Sequence, residues 1–306
     1  MSEPKKRRLS KRIKYFFINF LLEVVVFKGR FIPRKWFLAF FVFAVKFSFL
    51  FNSRSKSRAI TNLRRAYPDK QEQEIVNMAR QVYINQAKNS ADFFSTFYVT
   101  KKEKFFDLVK VKGKENFDAA FKKGKGVLIL TCHVGSWEFS AITIPMLGYP
   151  TTAVSKALKD ERLNKKLVAS RWRRGLKNLN RGKVYPQLIK ALNDGDGLVI
   201  MIDQDTKVPG MFVDFYGIPA YTPVGAARLA LDTDAAVVPM YMQRTDDGKH
   251  LFTIDPEIPL VRTDDREADL LTNTKNYSEV IEGYIKEYPT QWVWMHQRWK
   301  TRPEAS

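Results

Sequence analysis

The chain has 306 residues, a formal net charge of +20 and a single cysteine, Cys132. This length suits one large domain or two small ones. One cysteine excludes an intramolecular disulfide and a zinc site built from four cysteines. The charge favours a polyanionic partner such as nucleic acid, an anionic membrane surface or an acidic protein, although a basic surface with no specific partner would carry the same charge.

The first 52 residues combine a basic tail with two phenylalanine-rich apolar stretches. Residues 1–14 carry seven lysines and arginines against one acid, and Tyr15–Phe27 and Trp36–Phe51 follow. Neither stretch reaches the roughly 20 apolar residues of a spanning helix, and Glu23 and Lys46 would be costly at the bilayer centre. We therefore predict a membrane anchor that lies in the interface of the cytoplasmic leaflet, with a short tilted span as the less favoured form. A helix buried in a protein core is the alternative, which the adjoining basic tail disfavours.

Residues 53–306 have the composition of a folded domain in which helical and strand-like patterns alternate. Helices are predicted over Ala59–Tyr67 and Glu72–Thr96, on either side of the breaker Pro68. Further along, short apolar runs predict buried strands at Gly126–Thr131, Thr151–Ser155, Gly197–Ile202 and Ala236–Met242. The segments between them predict helices at Ser136–Leu147, Asp160–Gly175, Val184–Asn193, Thr222–Leu231 and Asn273–Tyr288. This alternation predicts an α/β fold with a central, mostly buried mixed β-sheet flanked by helices.

Three histidines, His133, His250 and His296, limit the choice of acid–base groups. His133 directly follows a predicted strand, and catalytic groups of α/β sheets gather at the carboxyl ends of strands. Glu138 lies five residues further on, and Gly135 gives the intervening turn its freedom. A carboxylate on one ring nitrogen fixes the tautomer, leaves the other nitrogen as a base and stabilises the imidazolium. The spacing alone is weak, because a glutamate that merely complements a helix dipole produces the same pattern.

Other groups near these positions offer alternative chemistry. Cys132 is a rival nucleophile, but adjacent strand residues point to opposite faces, so we expect a buried, inert thiol. Asp203 and Asp205 end a strand, and without a spaced set of further ligands they favour a polar network over a metal site. Basic residues crowd the helix after the second strand and form either a solvated face or a platform for an acidic protein or lipid phosphates: Arg162, Lys165, Lys166, Arg171, Arg173 and Arg174.

Four segments, which run in order over most of the chain, resemble the bacterial lipid A biosynthesis acyltransferases. These are the late lauroyl and myristoyl transferases of the lysophospholipid acyltransferase superfamily. The matching segments are His133-Val-Gly-Ser-Trp-Glu138, Ile202-Asp203-Gln204-Asp205, Val213 to Gly225 continuing to Arg228-Leu-Ala, and Trp294-Met-His-Gln-Arg-Trp-Lys-Thr-Arg-Pro-Glu304. The last of these is the most specific, and the N-terminal anchor lies where the family has one.

The resemblance implies a glycerol-3-phosphate acyltransferase-like fold on the cytoplasmic face of the inner membrane. The implied reaction moves a fatty-acyl group from a thioester to a hydroxyl of a membrane glycolipid, with a lipid A precursor as the leading acceptor. The donor would be carried on the phosphopantetheine of acyl-carrier protein or on coenzyme A, with no metal or resident cofactor. His133 would deprotonate the acceptor hydroxyl and Glu138 would orient His133, while Lys156, Arg171 and Asp203 are the expected substrate-binding residues.

The chain departs from the family pattern after the second strand. The family often has an arginine followed by a proline there, whereas this chain has Lys156-Ala157. A lysine neutralises a phosphate as a point charge, without the bidentate fork of arginine. The acceptor therefore stays open, and phosphatidylinositol mannosides, lysophospholipids and amino-acid lipids are alternatives because fold and motif do not choose it.

Two other classes of protein remain as hypotheses. The charge alone suggests a nucleic-acid-binding protein, but the sequence shows no helix-turn-helix, zinc-finger or RNA-binding aromatic signature. A non-catalytic membrane scaffold that kept the fold is the other class. It predicts that His133→Ala leaves the function intact.

Overall fold

A computed structural model describes residues 9–29, 31–51 and 53–303, with side chains from Tyr15 onward. The first basic residues of the predicted tail, 5–8, and Glu304 of the final motif lie outside these ranges. The first four helices of the described chain are α1 (Leu9–Lys28), α2 (Arg34–Phe49), α3 (Arg54–Ala66) and α4 (Glu72–Ser95).

The helix α2 packs along α4. Phe37 and Phe49 of α2 are buried, and the Phe49 ring meets Tyr83 of α4 edge to face at 5.3 Å. Arg34, the first residue of α2, donates to Asp92 of α4 through Nε at 2.7 Å and Nη2 at 3.0 Å. An apolar contact and a charged one thus attach α2 to the domain that follows it.

The opposite faces of α1 and α2 leave many large apolar side chains exposed. They are Phe16, Phe17, Phe20, Leu21, Phe27, Trp36, Phe40, Phe43 and Phe47. Across the described ranges, no single helix is both long and apolar enough to cross a bilayer. The pair α2 and α3 passes that test together, with a bend of 86° between the two helices.

The centre of the molecule is a seven-stranded sheet with the order β1-β9-β8-β2-β5-β3-β4. Its strands are β1 (Val109–Lys112), β2 (Val127–Thr131), β3 (Thr151–Ser155), β4 (Leu176–Asn180), β5 (Gly197–Met201), β8 (Ala236–Arg244) and β9 (His250–Ile254). A separate hairpin consists of β6 (Gly210–Phe215) and β7 (Ile218–Pro223). Strands β8, β2, β5, β3 and β4 run parallel, while β9 pairs antiparallel with β8. The predicted α/β class and mixed sheet are confirmed.

Helices cover both faces of the sheet, which is why its central strands are continuously apolar. They are α5 (Lys102–Phe106), α6 (Lys114–Phe121), α7 (Trp137–Leu147), α8 (Glu161–Trp172), α9 (Tyr185–Asn193), α10 (Gly225–Thr233) and α11 (Arg266–Glu287), followed by a 3-10 turn at Pro289–Gln291. Every residue of β2 is buried, and Ile129 at its centre lies opposite Val199 and Val238 of the neighbouring strands. Cys132 is also buried, and burial raises the pKa of its thiol well above the usual value. The expectation of a buried cysteine is confirmed.

Three predicted helix starts are wrong. Helix α3 begins at Arg54 and not at Ala59, and α11 begins at Arg266 and not at Asn273. Thr222 and Pro223 were expected to start a helix, but they end β7, and α10 begins at Gly225. The fully buried Arg298 holds this segment in the hairpin, donating to the Tyr221 carbonyl at 2.8 Å and to the Thr222 hydroxyl at 2.6 Å. The capping residues Thr222 and Pro223 would favour a helix start, but the contact of Thr222 with Arg298, 76 positions further along the chain, keeps them in a strand.

Candidate active site

His133 lies just beyond the carboxyl end of β2, and Asp203 lies just beyond the end of the neighbouring parallel strand β5. The ring Nδ1 of His133 is 2.9 Å from Oδ1 of Asp203, and the backbone N–H of His133 donates to Oδ2 at 2.8 Å. The indole N–H of Trp292 donates to the same Oδ2 at 2.8 Å. Adjacent strand ends therefore bring together a histidine and a carboxylate that is fixed from three directions.

The two members of this pair differ in exposure. The side chain of Asp203 has no exposed surface, whereas 20% of the His133 side chain is exposed. Burial on its own would raise the pKa of Asp203. The positive charge of His133 and the hydrogen bonds from His133 and Trp292 outweigh burial and lower that pKa to about 2. Asp203 is thus an ionised acceptor at neutral pH.

The ionised state of Asp203 decides the tautomer of His133. A carboxylate can only accept, so Nδ1 carries the proton and donates it to Oδ1. When the ring is neutral, Nε2 is left with a lone pair, and it has no hydrogen-bond partner within the described ranges. This arrangement makes Nε2 a Brønsted base that a ligand can reach.

The turn after His133 is held by its backbone. Gly135 has φ +57°, and a Cβ there would collide with the carbonyl oxygen of Met242, so only glycine fits. The Gly135 N–H donates to the Gln291 carbonyl at 3.0 Å, and its carbonyl accepts from Asn89 Nδ2 at 2.8 Å. The predicted need for glycine in this turn is confirmed.

Glu138 does not pair with His133. Its carboxylate binds Arg171 of α8, with Nη2 to Oε1 at 2.6 Å and Nε to Oε2 at 3.2 Å. The remaining nitrogen of that guanidinium donates to Asn178 Oδ1 at 2.6 Å and to Ser155 Oγ at 3.1 Å. Arg171 thus connects the start of α7 with strands β3 and β4.

The predicted hydrogen bond between His133 and Glu138 is therefore wrong, and the reason is physical. Asp203 already occupies Nδ1 of His133. Arg171, which is nearly buried, needs a counter-charge, and Glu138 supplies it. A catalytic role for Glu138 stays a prediction, but any such role acts through Arg171.

The predicted substrate-binding residues fall into three different environments. Lys156 is exposed in the loop after β3, so a ligand can reach it. Arg171 is buried in the contacts just described, and its contact with substrate stays a prediction. The expected substrate contact of Asp203 is wrong, because its carboxylate is fully buried behind His133.

The remaining predicted groups confirm a polar network around the strand ends. Asp205 accepts from the backbone N–H of Thr301 at 2.7 Å, and Lys300 lies 3.7 Å from its other oxygen. In the basic helix, Arg174 is buried against Ser170, and burial lowers its pKa to about 10. Arg162, Lys165 and Arg173 are exposed, so the cluster is partly structural and partly a surface.

Three residues distant in sequence fix the site but were not predicted: Trp292, which binds Asp203, and Asn89 and Gln291, which bind the backbone of Gly135. Trp292 stands only two positions before the segment that carried the family resemblance, and Val134 pairs with it in an isolated antiparallel bridge. The closely spaced tryptophans Trp292, Trp294 and Trp299 are the sequence feature that could have pointed to this segment as part of the site. Asn89 lies mid-helix in α4, where nothing in the sequence distinguishes it from a solvated residue.

An imidazole with one nitrogen on a buried carboxylate and the other free, at the strand ends of an α/β sheet, defines a candidate acyl- or proton-transfer enzyme. Residues 3–301 match the family model of the bacterial lipid A biosynthesis acyltransferases, and the chain belongs to this family. The match includes α1 and α2.

Individual relatives are distant. A phosphatidylinositol mannoside acyltransferase from Mycolicibacterium smegmatis is 26% identical over 185 residues, which are 59% of this chain and 59% of the relative. A lipid A biosynthesis acyltransferase from Haemophilus influenzae is 24% identical over 259 residues, 82% of this chain and 78% of the relative. The lipid A biosynthesis lauroyltransferase of Escherichia coli is 29% identical over 201 residues, 64% of this chain and 63% of the relative. The chain thus spans about three-fifths of the mannoside acyltransferase it matches.

Proposed function

We propose that this protein transfers a fatty-acyl group from a thioester to a hydroxyl of a membrane glycolipid, with His133 as the general base. The single observation that carries the proposal is the His133–Asp203 pair, in which Nδ1 is fixed and Nε2 is free. Family membership supports the reaction class, since the relatives are named for lipid A and for phosphatidylinositol mannoside, both glycolipids.

In the proposed mechanism, Nε2 of His133 takes the proton of the acceptor hydroxyl while the oxygen attacks the thioester carbonyl. The imidazolium forms beside the ionised Asp203, whose charge stabilises it and whose position keeps Nδ1 protonated. Collapse of the tetrahedral intermediate breaks the carbon–sulfur bond, and the leaving thiolate takes the proton back from Nε2. The products are an ester and a thiol, and His133 returns to its starting state.

Glu138 has a positioning role in this proposal. Because it neutralises Arg171, it allows a guanidinium to stay buried where the ends of β3 and β4 meet the start of α7. Lys156, exposed at the end of β3, is free to neutralise an anionic group of the acceptor. We infer that Glu138, Arg171 and Lys156 position the acceptor and do not determine the basicity of His133.

The exposed aromatic faces of α1 and α2 support docking on a membrane interface. Exposing these apolar side chains to water costs free energy, and that cost is removed when they lie among lipid headgroups. We infer that the protein lies on the cytoplasmic face of the inner membrane, where basic residues favour anionic lipid. The charge of +20 also suits an acidic donor such as acyl-carrier protein.

Mass spectrometry of lipids tests the proposed reaction. Purified full-length protein is incubated with acyl-carrier thioesters or acyl-coenzyme A and with a lipid A precursor, a phosphatidylinositol mannoside or a lysophospholipid. We expect one additional acyl chain on a glycolipid with wild-type protein and at most a trace of this product with His133→Ala. Failure to acylate either glycolipid, or equal product from His133→Ala, would contradict the proposal.

A further inference from the structure

A groove of about 570 Å³ lies between α8 and the outer strand of the sheet, β4. Three amides, two cations and one indole line its walls: Asn164, Asn178, Asn180, Lys165, Arg173 and Trp172. Its size falls within the range of about 300–1,000 Å³ typical of sites for small ligands.

The groove runs along β4, and two of its wall residues, Asn178 and Asn180, lie in the carboxyl-terminal half of that strand. Strands β2, β5, β3 and β4 are parallel neighbours, so their carboxyl ends share one edge. With about 4.8 Å between strands, β4 lies roughly 14 Å from β2. Asn178 in the groove wall accepts from Arg171, and the same guanidinium binds Glu138. One side chain therefore separates the groove from the motif that carries His133.

The lining has the chemistry of a site for an anionic sugar. The oxygens of Asn164 and Asn178 already accept from Leu158 and Arg171, so their amide N–H groups are left to donate to the hydroxyl groups of a sugar. Arg173 supplies positive charge for a phosphate, and so does Lys165, which also pairs with Glu161 at 3.0 Å. No carboxylate lines this groove. The Trp172 side chain is 61% exposed, so a large flat apolar surface is available for the face of a sugar ring.

The helix α1 places this groove beside the proposed membrane surface. Lys166 of α8 forms an ion pair with Glu23 of α1, and Asn19 of α1 donates to Asp160, the N-cap of α8, at 3.2 Å. Because α1 also carries exposed phenylalanines, the groove lies where a lipid headgroup would be found if that face rests on a bilayer.

We propose that the groove between α8 and β4 binds the phosphorylated sugar headgroup of the acceptor lipid, with Trp172 as the stacking surface. The identity of the occupant as part of the acceptor rests on the proposed function. A carrier protein is the less fitting occupant, because a groove of this volume with three amides suits a sugar better than a protein helix.

A binding experiment tests the site without any acyl transfer. Saturation-transfer NMR is recorded on full-length protein with glucosamine 1-phosphate and with uncharged N-acetylglucosamine as probes, and with inorganic phosphate as a competitor. We expect the strongest sugar signals with glucosamine 1-phosphate, a loss of at least about fivefold in Trp172→Ala, and wild-type signals in the matched control Leu271→Ala, an exposed residue of α11. Equal binding by Trp172→Ala, or competition by inorganic phosphate as effective as by the phosphosugar, would overturn the proposal.

Kinetics separate the acceptor site from a donor site. Trp172→Ala should raise the KM for the glycolipid acceptor about tenfold, and Trp172→Phe should restore most of that loss. The KM for the acyl-carrier thioester should stay within twofold. A rise in the donor KM instead would assign the groove to the carrier protein and refute the sugar site. Absence of acyl transfer by wild-type protein would contradict the proposed function, while the NMR experiment would still decide the sugar site.

Discussion

Two buried aspartates, Asp203 and Asp92, each form a hydrogen bond with a histidine, and the two pairs have different roles. Asp203 binds Nδ1 of His133 at 2.9 Å, and Asp92 binds Nε2 of His250 at 3.0 Å. Neither aspartate side chain has exposed surface. His133 keeps 20% of its side chain exposed, whereas His250 has none.

The surroundings of Asp92 explain why its pair is structural. Arg34 and Arg244 both bind this carboxylate, at 2.7 Å each, alongside His250. The second ring nitrogen of His250, Nδ1, is buried without a hydrogen-bond partner among the described residues. Burial lowers the pKa of His250 against the opposing effect of Asp92. This histidine is therefore neutral and cannot exchange protons with a ligand.

The comparison shows that access to the second nitrogen, and not the histidine–carboxylate bond, distinguishes the candidate base. The Asp92 cluster still supports the site, because Asn89 accepts from Arg244 at 3.0 Å and donates to the Gly135 carbonyl at 2.8 Å. It also ties α2 to β8 and β9 through Arg34 and Arg244. One pair is placed to do chemistry, and the other holds the turn on which the chemistry depends.

The largest effect is expected at Asp203. Asp203→Asn should lower kcat by about 10²–10⁴-fold, because the neutral amide neither fixes the tautomer nor stabilises the imidazolium. The assay is acyl transfer at saturating substrates, on protein whose folded fraction is checked by circular dichroism. His250→Gln serves as the control and should retain kcat within a few-fold. Similar losses of kcat in Asp203→Asn and His250→Gln would contradict the assignment of one pair to catalysis and the other to structure.

A large effect on stability is expected at Asp92. Asp92→Asn leaves the buried guanidinium of Arg244 and the partly buried one of Arg34 without their counter-charge, and breaking such an arrangement costs about 3–5 kcal/mol. Urea unfolding should report this loss in the free energy of unfolding. The exposed pair Lys70–Glu74 provides a matched comparison, and Glu74→Gln should leave the free energy of unfolding nearly unchanged, because solvent screens an exposed ion pair. A loss of similar size in the two variants would refute the structural role of Asp92.

An intermediate effect is expected at Glu138. Glu138→Gln should raise the KM for the acceptor more than it lowers kcat, by about tenfold, because it loosens Arg171 and leaves the His133–Asp203 bond intact. Glu138→Asp should recover part of the loss, since a carboxylate still faces the guanidinium. A fall in kcat as large as that of Asp203→Asn, with KM unchanged, would restore Glu138 as the partner of His133.

The smallest effect is a pH dependence of stability. The folded-state pKa of His250 is lowered, so the unfolded chain binds the proton first as the pH falls below about 6.5. Stability is therefore complete above that pH and declines below it, with a slope of at most about 1.4 kcal/mol per pH unit. Asp203 adds a second loss in the same direction, from about pH 4 down through its pKa of about 2. His250→Gln should make the first decline shallower in urea titrations, and His296, whose pKa burial also lowers, contributes the rest. An unchanged profile would contradict this account.

The apolar runs of the sequence located the central strands, because strands covered on both faces must be continuously apolar. The two edge strands escaped prediction because they carry polar residues: β1 reads VKVK, and β4 reads LKNLN. Strand β9, which reads HLFTI and lies between β1 and β8, also escaped prediction. The hairpin β6–β7 depends on Arg298, a contact no local pattern reveals.

The residues of the candidate site were likewise predictable only in part from the sequence. Position after a strand singled out His133, and Asp203 was noticed at another strand end, but the sequence does not give the order of strands in the sheet. Only the adjacency of β2 and β5 makes Asp203 the partner of His133. Glu138 was the nearer carboxylate along the chain, but the chain alone does not show that Arg171 binds it.

A double-mutant cycle on acyl transfer tests the central claim most directly. Residues that act as a unit are not additive, so Asp203→Asn should cause little further loss once His133 is alanine, whereas Glu138→Gln should cause nearly its full loss in the same background. Trace product quantified by mass spectrometry gives the four rates of each cycle. The opposite pattern, with Glu138→Gln silent and Asp203→Asn additive, would show that Asp203 is not the residue through which His133 works.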